Sequence, residues 1–343
     1  MPDIVEAMKR RGRTKVVARS WSHRVRPSTR RVRAENFAAL HNHESEPGLT
    51  GLSATGTVGD IAWYAVEPTS GNGSTTGAVP VTVVFIHGYG LSAESWYAQV
   101  RDAADAGARC LLVDLRGHGL SGRVPAAQCT LDGAGDDVLA VIAEQAADGP
   151  LVIVGHSLGG MVAQNVIRRA PESVYERITG VLLVATSMQP FARTGAAALL
   201  RSRAAHALYD AAQRLPGRVN HARREVAEFI APVFATLLTG FPQMEQLQFH
   251  VDMMMDTPLD SFVGFFDDLI EHDEYAAAGR LGALPGIVMV GSLDIVTPRS
   301  QADEILKHWP AAELVEVDGA GHMVILEEPD QVTAALRRLL PDG

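Results

Sequence analysis

The stretch Leu151-Val-Ile-Val-Gly-His-Ser-Leu-Gly-Gly-Met161 decides the fold. Leu151 to Val154 is a continuous apolar run of the length expected for a strand buried on both faces. Gly155 and Gly159 then flank Ser157. Small residues there let the chain turn sharply, with room for backbone that a side chain would block. From Leu158 to Ala170 the sequence suits a helix. A strand that turns tightly through a serine into a helix leaves that serine at the strand's C-terminal end, with the helix N-terminus behind it.

Working outward, similar runs recur at Val81–Ile86, Cys110–Val113, Val181–Val184, Ile287–Val290 and Leu314–Val317. Each is read as a strand buried on both faces. Between most of them lie helix-length segments such as Thr130–Ala147. Strand and helix in alternation predict an α/β protein with a mostly parallel sheet covered by helices. Gly51–Pro68 reads as an additional strand pair, followed by a Gly/Ser/Thr loop at 69–77. The alternation breaks once, between Ser187 and Pro258, where an Ala-, Leu-, Arg- and Met-rich stretch reads as several helices. The expected organisation is a basic extension at 1–49, a first core segment at 50–187, a helical cap at 188–258 and a second core segment at 259–343.

Four strand ends carry chemistry. Ser157 follows one strand. Asp294 follows Ile287-Val-Met-Val-Gly291, and His322 follows Leu314-Val-Glu-Val-Asp318 through a glycine-rich loop. A serine hydroxyl near pH 7 needs a base to take its proton. An imidazole acting as that base needs a carboxylate to fix its tautomer and steady its charged form. The fourth strand ends in His87-Gly88-Tyr89-Gly90. Acyl transfer builds negative charge on a carbonyl oxygen, which needs N–H donors already in place. The backbone N–H groups of Tyr89 and Leu158 are the natural pair for this oxyanion hole. His87 is read as shaping its loop by hydrogen bonding.

These motifs resemble the α/β-hydrolase superfamily, and within it bacterial esterases and lipases. The resemblance spans about residues 50–341. It rests on HGYG at 87–90, Asp114-Leu-Arg-Gly-His-Gly-Leu-Ser-Gly122, GHSLGG at 155–160, and GSLDxxTP at 291–298 followed by GAGHM at 319–323. It implies the α/β-hydrolase fold, catalysis by Ser157, Asp294 and His322, and an oxyanion hole at Tyr89 and Leu158. The Asp114–Gly122 turn is structural in that family. Ser157 stands where haloalkane dehalogenases and most epoxide hydrolases carry aspartate, so those chemistries are disfavoured. The expected substrate is a small-molecule acyl ester, with lipid-like acyl chains suggested by Met244, Met253, Met254, Met255 and the phenylalanines 241, 249, 262, 265 and 266. A cofactor-free haloperoxidase or perhydrolase, a carbon–carbon bond hydrolase and an acyltransferase share the same residues. A non-catalytic ligand-binding protein on this scaffold is the reading from another class. No cofactor is implied. No metal-ligand spacing is seen, and His41 and His43 are read as loop residues.

Bulk properties set the setting. Eleven Lys or Arg stand against Asp3 and Glu6 in residues 1–33, a net +9, so the rest of a chain whose total is −10 carries −19. Such an arm is expected to be solvated or folded back on the acidic body. Contact with anionic lipid is its alternative role. Nucleic-acid binding is disfavoured by the acidic body. No apolar run reaches membrane-spanning length, and the basic start lacks the apolar core of a secretory signal. With only Cys110 and Cys129, neither in a metal spacing, a reducing, cytoplasmic setting is expected, peripheral at the membrane if the arm binds lipid. Because the arm carries no motif residue, deleting residues 1–40 is expected to leave turnover of a soluble ester nearly unchanged. A collapse of steady-state activity or solubility would show that the arm completes the core or the cap.

Overall fold

A computed structural model describes residues 48–69, 79–190, 244–258 and 271–341, together with 261, 264, 265, 268 and 269. Nearly all of the expected basic extension, the loop at 70–78 and residues 191–243 of the expected cap lie outside the described residues. So do His41, His43 and Phe241, and the side chains of Met244, Phe262 and Phe266.

Among the described residues, eight strands form one sheet. They are β1 (Ala54–Val58), β2 (Ile61–Val66), β3 (Thr82–Ile86), β4 (Arg109–Val113), β5 (Leu151–His156), β6 (Ile178–Val184), β7 (Gly286–Gly291) and β8 (Glu313–Val317). Their spatial order is β1-β2-β4-β3-β5-β6-β7-β8. The first two pairings are antiparallel and all others are parallel. The longer helices are α1 (Tyr97–Asp105), α2 (Leu131–Gln145), α3 (Leu158–Arg169), α4 (Met244–Asp256), α5 (Arg299–His308) and α6 (Pro329–Arg337). The expected α/β architecture is therefore observed, with the strand pair at 51–68 realised as β1 and β2.

Successive strand residues point to opposite faces, and helices cover both. Val84 and Ile86 of β3 join Val138 of α2 and Val162 of α3 in one apolar cluster. Phe85 points the other way, 5.4 Å from the Trp96 ring, and Cys110 Sγ contacts the Val100 carbonyl of α1 at 3.6 Å. Every residue of β3 and β5 is buried, which is why their sequences show no polar alternation. Cys110 and Cys129 are buried and unlinked.

The expectation for Leu314–Val317 needs correction. Among the described residues β8 pairs only with β7, at the far edge of the sheet. Glu313 and Glu316 are exposed there, and they form ion pairs with Arg338 and Arg299. Charge on an edge strand discourages pairing with another chain. Thr130 is the cap of α2 rather than part of it: its hydroxyl accepts a hydrogen bond from Gly133 N at 3.0 Å, satisfying one of the helix's free N–H groups.

The chain runs from β3 outward to β4, then returns to place β5 on the other side of β3. Loops that follow adjacent strands leave in opposite directions at such a point and open a crevice at the carboxyl ends. Ser157, the 87–90 loop, Asp294 and His322 all follow parallel strands, so they share that edge of the sheet. Among the described residues, no helix is long and apolar enough to cross a membrane.

Candidate active site

Ser157 has φ +54° and ψ −120°, a backbone region that non-glycine residues rarely occupy. Strain of this kind persists only where the surroundings enforce it. They do so here through close approach. A Cβ on Gly159 would lie 2.2 Å from the Ile86 carbonyl oxygen, and one on Gly155 would lie 2.3 Å from the Gly159 oxygen. The serine turn is thus pressed against the end of β3. Its hydroxyl stands 2.9 Å from His322 Nε2. His322 Nδ1 is 2.9 Å from Asp294 Oδ2. The structure therefore brings together the three side chains singled out in the sequence.

Asp294 is nearly fully buried and heavily supported. Its Oδ1 accepts from the backbone N–H of Val296 at 2.8 Å and of Thr297 at 2.9 Å, and its Oδ2 accepts from the Thr297 hydroxyl at 2.8 Å. Burial pushes its pKa up, but His322 and the Thr297 donors outweigh this and hold the carboxyl below its usual value. The His322 loop has its own clamp. Glu327 accepts from Gly321 N at 2.9 Å and from Met323 N at 3.0 Å, one on each side of the histidine. Thr297 and Glu327 were not singled out in the sequence. Thr297 lies inside a quoted motif, but nothing in residue type alone marks either as a support.

Leu158 begins α3, so its N–H has no carbonyl one turn back to bond. Tyr89 sits in the loop after β3, its ring 6.3 Å from that of His118. That loop is braced from below. Gly90 N donates to His118 Nε2 at 3.2 Å, Leu115 N donates to His87 Nε2 at 2.9 Å, and His87 Nδ1 is 2.8 Å from the Gly88 carbonyl. His87 thus shapes the loop, as expected. Asp114 gathers Tyr64 Oη, Ala93 N and Leu120 N at 2.7–2.8 Å, so the Asp114–Gly122 segment holds the same loop through Ala93.

Residues from α4 reach this region. Phe249 meets the Tyr97 ring edge-on at 5.7 Å. His250, not singled out in the sequence, is buried with Nδ1 unpartnered among the described residues. Met253 and Met254 are buried, whereas Phe265 lies within the main core cluster and is packing.

Away from the relay, the fold gathers three potential metal-ligating side chains that show no ligand spacing in the sequence. Ligand atoms of Asp132, His272 and Glu274 lie within 4.8 Å of one another. Arg168 already bridges both carboxylates at 2.9 Å, and Asn165 donates to both at 2.6 Å. The group reads as a closed ion network, and the sequence concealed it because its members are far apart in the chain.

A model of the alpha/beta hydrolase family matches residues 83–336. The chain belongs to that family. Within it, the chain is 27% identical over 322 residues to an esterase of Mycobacterium tuberculosis, covering 89% of this chain and 96% of that one. It is 26% identical over 264 residues to a dihydrolipoyllysine-residue acetyltransferase component of an acetoin cleaving system from Pseudomonas putida; that match covers 75% of this chain but only 63% of the relative. Among solved structures, a thermophilic esterase from Thermogutta terrifontis superposes with a TM-score of 0.62 at 24% identity, covering 84% of this chain and 96% of the other. That last likeness speaks to the fold.

Among the described residues, four histidines besides His322 are buried and held neutral by burial: His87 with its pKa lowered to about 4, and His118, His156 and His250 to about 3. On unfolding each regains an ordinary value near 6.5. Below that pH the unfolded chain binds protons that the folded chain refuses, so stability falls as pH drops from about 6.5 to about 4, by up to ~1.4 kcal/mol per pH unit for each group. His272 opposes this. Burial pulls its pKa down, but Glu274, Asp268 and Asp132 raise it overall, so it favours folding at lower pH, one group against four. The urea midpoint is expected to fall between pH 7 and pH 5. A midpoint that holds or rises would contradict the assignment of buried neutral rings.

Proposed function

We propose that this chain is a carboxylesterase-type enzyme that cleaves carboxylic esters through a covalent acyl-enzyme on Ser157. The observation that carries this reading is the unbroken relay from Ser157 Oγ through His322 to Asp294, with both hydrogen bonds at 2.9 Å. His322 Nε2 takes the serine proton as Oγ attacks the ester carbonyl. Asp294 holds the ring with its proton on Nδ1 and steadies the imidazolium that forms. The N–H groups of Tyr89 and Leu158 receive the developing oxyanion. His322 then gives its proton to the departing alcohol, and water activated by the same ring releases the acid. The family match and the esterase among the relatives support ester hydrolysis.

Apolar acyl chains are the substrate this reading favours, because buried Met253 and Met254 and half-buried Phe249 lie on α4, and methionine adapts to irregular apolar shapes. Transfer of the acyl group to an acceptor other than water is the second reading. The acetyltransferase relative supports it, since an acyl-enzyme serves either outcome.

Hydrolysis of p-nitrophenyl esters from acetate to palmitate tests the proposal. Turnover is expected to rise with chain length, and Ser157→Ala is expected to lower kcat by about 10⁴–10⁶. A Ser157→Ala protein that keeps most of its activity would refute the nucleophile. A flat or falling series would refute the apolar acyl pocket.

A further inference from the structure

One buried imidazole beside the relay takes no part in it. His156 ends β5 and is 1% exposed. Its Nε2 lies 3.0 Å from the backbone carbonyl oxygen of His322. A carbonyl oxygen only accepts, so Nε2 carries the proton and donates. The ring is neutral, because burial first, and the neighbouring His322 second, lower its pKa to about 3. Nδ1 is then bare, and it is buried without a hydrogen-bond partner. The ring lies 5.2 Å from the His322 ring and meets Trp96 edge-on at 6.4 Å. A Cβ on Gly88 would come within 2.7 Å of Nδ1. One side chain thus adjoins the loop after β3, the serine turn and the His322 loop.

We propose that His156 is a positioning residue for His322, its Nε2–H anchoring the histidine's own main chain and so setting the reach of the imidazole to Ser157. This rests on the acyl-enzyme reading given above. The anchor matters because His322 follows Gly319-Ala-Gly321, and Gly319 has φ +75°; glycine-rich backbone does not hold a position by itself. Glu327 fixes the N–H groups of Gly321 and Met323. His156 fixes the carbonyl of the residue between them. The peptide group before Gly321 is thereby tied through its N–H, and the one that follows His322 through both its N–H and its carbonyl; a base displaced by about 1 Å costs on the order of 10²-fold in rate. A neutral anchor also places no positive charge beside His322 when that ring becomes an imidazolium.

The test exploits reach. The amide nitrogen of glutamine extends about as far as Nε2, that of asparagine only to the position of Nδ1, and leucine fills the space with no donor. His156→Asn and His156→Leu are expected to lower kcat on a p-nitrophenyl ester by roughly 10²-fold with KM little changed, and to slow fluorophosphonate labelling of Ser157 in parallel. His156→Gln is expected to restore most of both. If His156→Leu fails to fold, the contrast between His156→Gln and His156→Asn, two amides differing in reach, still decides. Equal activity of the Gln and Asn variants, full activity in His156→Leu, or an effect confined to KM or thermal midpoint would overturn the proposal. Failure of the wild-type protein to label at Ser157 would overturn the acyl-enzyme reading itself, and this inference with it.

Discussion

The close approach of the serine turn to the end of β3 is the constraint on which the site depends. Backbone oxygens of Ile86 and Gly159 lie where side chains on Gly159 and Gly155 would have to go. With glycine at both positions, the chain can reverse from β5 into α3 and hold Ser157 at φ +54°. That conformation lifts the hydroxyl clear of the sheet edge and leaves the Leu158 N–H at the start of a helix, where no carbonyl claims it. The parallel sheet does the rest. Strands that run the same way deliver the ends of β3, β5, β7 and β8 to one edge, so groups far apart in the chain meet there.

Electrostatics in the site follow from what is buried and what is paired. Asp294 sits in an environment that would neutralise an unsupported carboxyl, yet three donors and the His322 ring keep it ionised. The surrounding histidines follow the opposite course. Lacking a carboxylate partner, His87, His118 and His156 stay neutral and use both ring nitrogens as fixed donors or acceptors, or leave one bare. The site is thus one ionised carboxylate, Asp294, set in a frame of neutral imidazoles. Such an arrangement lets positive charge develop on His322 without competition from its neighbours.

Much of this was legible in the sequence, for identifiable reasons. Buried parallel strands show as unbroken apolar runs, so β3, β4, β5, β6 and β7 could be read directly. β8 carries similar residues, but periodicity cannot count a strand's neighbours, and its place at the sheet edge appeared only in three dimensions. Ser157, Asp294 and His322 stood out because each follows a strand with glycine nearby. Their supports did not: Thr297 and Glu327 act through loop geometry, and His156 acts through a contact with a residue half the chain away. The network of Asp132, Asn165, Arg168, His272 and Glu274 joins three distant segments, and no local pattern could announce it. Within the segment expected to form a cap, the contacts of Phe249 and His250 depend on where α4 lands, which composition does not encode.

The proposed mechanism requires that Ser157 become acylated during turnover. Rapid quenching of the protein with a p-nitrophenyl ester, followed by mass analysis of its peptides, tests this most directly. A burst of p-nitrophenol equal to the enzyme present is expected, with one acyl group on the peptide that contains Ser157. Turnover with no covalent species, or with the acyl group on another residue, would contradict it.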